Sequence, residues 1–104
     1  MIARGAEFDG LLILQGPARI DGRVSGEIIS DATIWFGEEA RVEAAVTAVN
    51  VVVAGYIHGD VRASGRIALE STARVAGELT AQLLVLVEGS HLEGTCHAGD
   101  ESEG

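Results

Sequence analysis

Short apolar runs broken by glycine fill this chain, and a five-residue unit, apolar-x-Gly-x-apolar, recurs almost from end to end. Seven copies are present: Phe8-Asp9-Gly10-Leu11-Leu12, Ile20-Asp21-Gly22-Arg23-Val24, Val24-Ser25-Gly26-Glu27-Ile28, Val42-Glu43-Ala44-Ala45-Val46, Ile57-His58-Gly59-Asp60-Val61, Val75-Ala76-Gly77-Glu78-Leu79 and Leu92-Glu93-Gly94-Thr95-Cys96. Only Ala44 replaces the central glycine. A second element, apolar at alternate positions, lies between the units as Leu12/Leu14, Ile34/Phe36, Val51/Val53, Ile67/Leu69 and Leu84/Leu86. Its first members lie 22, 17, 16 and 17 residues apart, and the glycine units that begin at Ile20, Val42, Ile57, Val75 and Leu92 follow at 22, 15, 18 and 17. Both features share a period near 17, with one longer interval that holds the extra Val24 to Ile28 unit.

Alternation with period two marks a strand buried on one face, and no window sustains the three-and-four spacing of an amphipathic helix. A unit that returns at a fixed period reads as a stack of coils. Each coil is expected to hold three short strands, with glycine at a corner where a side chain would be strained. The expected fold is all-β, a single-domain parallel β-helix of five to six coils with about 17 residues per coil. It spans residues 8–97, between a flexible N-terminal segment, 1–7, and an acidic, disordered tail, 98–104, that carries Asp100-Glu101-Ser102-Glu103.

Such a solenoid exposes unpaired backbone and a slice of apolar core at each end, and ends of this kind are ordinarily capped. No flanking stretch here has the length or amphipathic pattern of a capping helix. Phe8, Leu11, Leu12 and Leu14 at one end, and Leu84, Leu86 and Leu92 at the other, are therefore the expected polymer end interface. Repeated stacking of such ends gives a filament. The intervening positions Ile13, Trp35, Val52, Ala68 and Val85 are apolar too, and are expected to line one outer face for bundling or for a partner.

Charge narrows the partners. A net charge of −9 repels phosphate backbones and anionic headgroups, so nucleic acid is not an expected ligand. All seven basic residues are arginine, which removes any phosphate-loop or Schiff-base lysine. The single cysteine, Cys96, permits no internal disulfide, the N-terminus lacks the layout of a secretory signal, and no apolar run approaches the roughly 20 residues that span a bilayer. A cytoplasmic protein is expected. His58 and His91 are read as solvent-facing side chains on different coils and His97 as lying at the fraying end, rather than as zinc ligands, and Cys96 as a small buried hydrophobe. Arg19, Arg41 and Arg74 recur in Ala-Arg-apolar triplets and are expected at equivalent outer positions, as a solvated ladder beside glutamates. No nucleophile, base and orienting group fall together, so neither catalysis nor a cofactor is expected.

The words Gly16-Pro17-Ala18-Arg19-Ile20-Asp21-Gly22-Arg23-Val24-Ser25-Gly26-Glu27-Ile28, Ala40-Arg41-Val42-Glu43-Ala44, Gly59-Asp60-Val61-Arg62-Ala63 and Glu88-Gly89-Ser90-His91-Leu92-Glu93-Gly94-Thr95-Cys96 resemble the bactofilins, bacterial cytoskeletal proteins, over Phe8 to Cys96. The resemblance implies a right-handed, triangular β-helix that polymerises without nucleotide into non-polar filaments through like ends. It implies a scaffold that positions client proteins, such as cell-wall enzymes or chromosome-segregation proteins, in cell shape, wall synthesis, motility or chromosome organisation. Many members attach to membrane through an N-terminal segment, for which the short Met1 to Glu7 offers little apolar surface. Leu92 stands near a position where the family often carries phenylalanine, which keeps the apolarity without the ring. A trimeric left-handed β-helix enzyme, an acyltransferase or a carbonic anhydrase, is the competing reading. Its strict hexads do not fit apolar spacings of 4, 5 and 6. An ice-binding solenoid would need a rank of threonines that Thr33, Thr47, Thr72, Thr80 and Thr95 do not form.

Overall fold

In the computed structural model of the chain, residues 5–98 are described. They form nine strands: β1 (Glu7–Leu14), β2 (Ala18–Ile20), β3 (Arg23–Ser30), β4 (Thr33–Phe36), β5 (Arg41–Val53), β6 (Tyr56–Leu69), β7 (Arg74–Ala81), β8 (Leu83–Leu86) and β9 (His91–Ala98). No helix occurs among the described residues, and every pairing is parallel. One row of rungs runs β1-β3-β5-β6-β7-β9, and a second runs β2, β4, the end of β5, the end of β6 and β8. The second row holds one rung per turn, so the chain is a parallel β-solenoid of five turns whose last turn continues into β9. The first strand begins at Glu7, and the Arg23 amide donates to the Ala6 carbonyl at 2.9 Å. The rest of the expected flexible segment, residues 1–4, and the acidic tail beyond Ala98 lie outside the described residues.

Hydrogen bonding between coils sets a register that differs from the sequence alignment of the repeats. Phe8, Val24, Val42, Ile57, Val75 and Leu92 stack in one row at intervals of 16, 18, 15, 18 and 17. The Val24 to Ile28 unit is thus the regular copy of the second turn, and Ile20 to Val24 merely crosses a corner. Likewise Leu12 and Leu14 stack on Ile28 and Ser30, while the first-turn partners of Ile34 and Phe36 are Ala18 and Ile20. Alternation alone fits either face, because a shift of two residues restores the same pattern. Only the inter-coil bonds decide which face a pair serves.

The core is a set of such rows. Ile20, Phe36, Val53 and Leu69 form one, Ile34, Val51 and Ile67 a second, and Ile28, Val46, Val61 and Leu79 a third, all almost fully buried. Like side chains stack at the strand spacing of about 4.8 Å, which packs β-branched residues without gaps. Where β3 passes Gly26 the strict alternation breaks: Val24 and Ile28 both point inward while Gly26 lies at the surface. That position is the corner between two faces.

The corner demands glycine for two reasons. Gly26, Gly59, Gly77 and Gly94 all have φ between +115° and +138°, and an added Cβ on each would be driven into the carbonyl oxygen of the corner residue one coil earlier. Ala44 keeps a negative φ, and the rung between β5 and β6 is interrupted there, since pairing passes from Glu43/His58 to Val46/Val61. Gly59→Val is therefore expected to destabilise the fold by about 3 kcal/mol or more, through backbone strain and collision with Ala44. Ala44→Gly, with no strained angle to relieve, is expected to change stability by less than about 1 kcal/mol. Urea unfolding followed by circular dichroism distinguishes the two.

Candidate functional site

Neither terminal coil is covered by another strand among the described residues. Phe8, Leu12 and Leu14 of β1 occupy inward rows but remain half-buried, packed on the core from one side. At the opposite end Leu84 and Leu92 are in the same condition, and Leu86, in line with the fully buried Leu69, is 52% exposed. Leu83 and Val87 add 55% and 39% exposed side chains to this end. The unbroken run Leu83-Leu84-Val85-Leu86-Val87 is the sequence signal for them. Six of the seven expected end residues thus fall on the two cross-sections. Leu11 does not: it is in register with Glu27 and points outward. The corner glycine before it shifts the alternation, so Leu12 rather than Leu11 follows the inward row.

The expected lateral face divides in the same way. Trp35, Val52, Ala68 and Val85 are consecutive rungs of one outer ladder, headed by Arg19. Trp35 is 41% exposed and Val85 36%, so the ladder is an apolar stripe open to solvent. Ile13 belongs elsewhere, stacked on Ile29 and Thr47 of another face.

Charged side chains are distributed by register as well. Arg23, Arg41, Tyr56, Arg74 and His91 form one exposed ladder that begins at Glu7. Arg19, expected with Arg41 and Arg74, is on the Trp35 ladder instead, where it bonds Asp21 at 2.8 Å; that hydrogen bond, with the Asp21 charge, holds its pKa up. Of the three arginines in this ladder only Arg23 has an ion pair among the described residues, at 3.9 Å to Glu7. Exposed pairs of this kind contribute little stability.

His58, His91 and His97 are exposed on separate ladders, and His91 and His97 lie 3.2 and 3.1 Å from Glu93 and Glu78. No grouping of three His, Cys, Asp or Glu suited to a metal occurs among the described residues. Cys96 corrects the expectation of burial: it stands in line with Leu79 in an inward row, yet it is exposed because no coil covers β9. Among the described residues no helix is long and apolar enough to cross a membrane.

A stack of in-register coils with an uncovered apolar cross-section at each end defines the class, a structural β-solenoid. The chain belongs to the bactofilin family, described as polymer-forming cytoskeletal, which matches over residues 1–97. Among curated relatives it is similar to the bactofilins BacP and BacO of Myxococcus xanthus (strain DK1622), 28% identical over 85 residues and 29% over 75. Those alignments take in 82% and 72% of this chain but only 35% and 60% of the relatives, so the chain spans about a third of one and three fifths of the other. Among solved structures it is similar to a point mutant of the bactofilin from Thermus thermophilus, with a TM-score of 0.71 and 30% identity over 77% of this chain and 97% of that one. The family is a structural, cytoskeletal one and not a family of enzymes.

The surroundings of Cys96 raise its thiol pKa by desolvation, so little thiolate forms at neutral pH. In dispersed protein, labelling of Cys96 by a disulfide reagent is expected to be slow at pH 7 and to accelerate only above the ordinary thiol range of about 8.5. Absorbance of the released thiol measures the rate, and unfolding in urea should restore ordinary reactivity.

Proposed function

We propose that the protein builds a filament without nucleotide by stacking its solenoid end to end, and that the filament serves as a scaffold for other proteins. The observation that carries this reading is the uncovered apolar cross-section at both ends, Phe8, Leu12 and Leu14 on one and Leu84, Leu86 and Leu92 on the other. Each end also leaves a whole strand of backbone donors and acceptors unpaired, which a second copy satisfies.

Membership of the polymer-forming bactofilin family supports filament growth, and the contact proposed is between like ends. Such an interface is self-complementary and closed, the commonest form of homotypic contact. Alternating contacts of the two kinds then give a filament with no overall direction. The Trp35, Val52, Ala68 and Val85 stripe runs along the solenoid and stays open in this arrangement, available for bundling or for clients. Clients of the scaffold would include wall-synthesis or chromosome-segregation proteins, in a cytoplasmic filament or one set beside the inner membrane.

Negative-stain electron microscopy of the purified chain, without nucleotide or metal, is expected to show long unbranched filaments. Uniform closed trimers would instead favour a trimeric β-helix enzyme. Leu92→Arg places a charge in one desolvated contact and Leu12→Arg in the other, each at a cost of several kcal/mol per buried charge. With like-end contacts either substitution alone leaves dimers and the pair together leaves monomers, whereas head-to-tail stacking gives monomers from either one. Sedimentation velocity reads the difference, and unchanged β-rich circular dichroism shows that the coils survive.

A further inference from the structure

The solenoid carries a notch beside Trp35, and its cause is the unequal length of successive coils. The second row of rungs leads back to the first through a turn that has four residues in the second, fourth and fifth coils: Gly37–Ala40, Glu70–Ala73 and Val87–Ser90, each closed by a backbone hydrogen bond of 2.9 to 3.0 Å. In the third coil the same corner is only Ala54 and Gly55. The ladder passes through this short turn unbroken, with Ala54 donating to Phe36 and Arg74 donating to Gly55, both at 2.8 Å. The turn is therefore recessed between two that protrude, and it has no room to grow, since a Cβ on Gly55 would collide with the carbonyls of Gly37 and Ala40. The result is a notch of about 750 Å³.

Its chemistry is two-sided. One wall is the exposed ring of Trp35 with Val52, the upper part of the apolar stripe. The rims are the protruding turns, which bring Glu38 and Glu39 on one side and Glu70 on the other. None of these three carboxylates has an ion-pair partner among the described residues, and the one cation that lines the notch, Arg19, is already engaged by Asp21. An apolar wall between unpaired carboxylates, in a chain of net charge −9, complements a segment that carries both cations and apolar side chains.

We propose that this notch and the stripe below it form a docking groove for a basic, apolar peptide segment of a partner protein. An arginine or lysine of the segment enters the notch, over the face of Trp35 and between Glu38 and Glu70, where a cation gains from the ring and from both carboxylates. The neighbouring apolar side chains lie along Val52, Ala68 and Val85. The groove runs along the solenoid and not across its ends, so the partner would bind every subunit of a filament. This inference names the partner chemistry for the scaffold proposed above, but it does not require that the chain polymerise.

Trp35 is the chain's single tryptophan, so its fluorescence reports the groove directly. The probe is a short synthetic peptide that alternates leucine and arginine, titrated into the full-length chain, with the leucine and glutamate analogue as the comparison. Expected is a saturable change in Trp35 emission with the arginine peptide alone, weakened by added salt. The double variant Glu38→Lys, Glu70→Lys is expected to lose affinity at least tenfold, while Glu27→Lys, Asp60→Lys, with the same change in net charge on another face, keeps it. Equal losses in the two variants, or binding without a change in Trp35 emission, would overturn the proposal as attraction to an acidic surface in general. A Trp35 signal that instead follows protein concentration without peptide assigns the groove to a second copy of the chain and overturns the proposal too. Filament microscopy on the same samples keeps this result separate from the polymer reading.

Discussion

Parallel stacking of one coil on the next, in register, is the constraint on which everything else in this molecule depends. Each coil is too thin to enclose a core of its own, so Val24 or Ile57 is buried only because a like residue stands above and below it. The same stacking satisfies the backbone, since nearly every amide of one coil finds a carbonyl of its neighbour. Register must then hold at the corners, where the chain bends with the least room. Gly26, Gly59, Gly77 and Gly94 meet that demand together, each with a positive φ and a carbonyl of the previous coil against its α-carbon. The corner glycines are as much a part of the core as the valines.

A structure whose stability comes from neighbours above and below is incomplete at its first and last coil. Leu12 and Leu79 lie in one row, yet the first is half-buried and the second fully so, for no reason other than place in the stack. Cys96 shows the same effect at its extreme, an inward position exposed to solvent. The physics that folds the middle of the chain leaves its ends apolar and unpaired among the described residues. In the proposed filament, folding and assembly are the same interaction, continued from one subunit into the next.

Function along the sides follows a different logic. Outer residues do not hold the fold, so ladders such as Trp35, Val52, Ala68 and Val85, or Arg23, Arg41, Tyr56 and Arg74, are free to be apolar or charged in long lines. Coil length is free as well, within a few residues, and most of the difference leaves at the corner where the second row of rungs leads back to the first. That tolerance makes protruding acidic turns at Glu38, Glu39 and Glu70 and a recess at Ala54, and so gives relief to an otherwise even prism.

The repeat of apolar-x-Gly-x-apolar with a period near 17 was enough to determine the fold class, a range of five to six coils, most of the corner glycines and the apolar character of both ends, because inward burial and corner strain act on each coil separately and leave their mark in every copy. Local pattern could not determine the phase between copies. Leu11 and Ile13 turned out to face solvent away from the Trp35 stripe, and Arg19 left the arginine ladder, since a two-residue alternation reads the same on any face of the prism. The exposure of Cys96 and the notch beside Trp35 were settled only in the tertiary structure, for they depend on what lies one coil away, 15 to 18 residues distant in the chain and fixed by hydrogen bonds between coils.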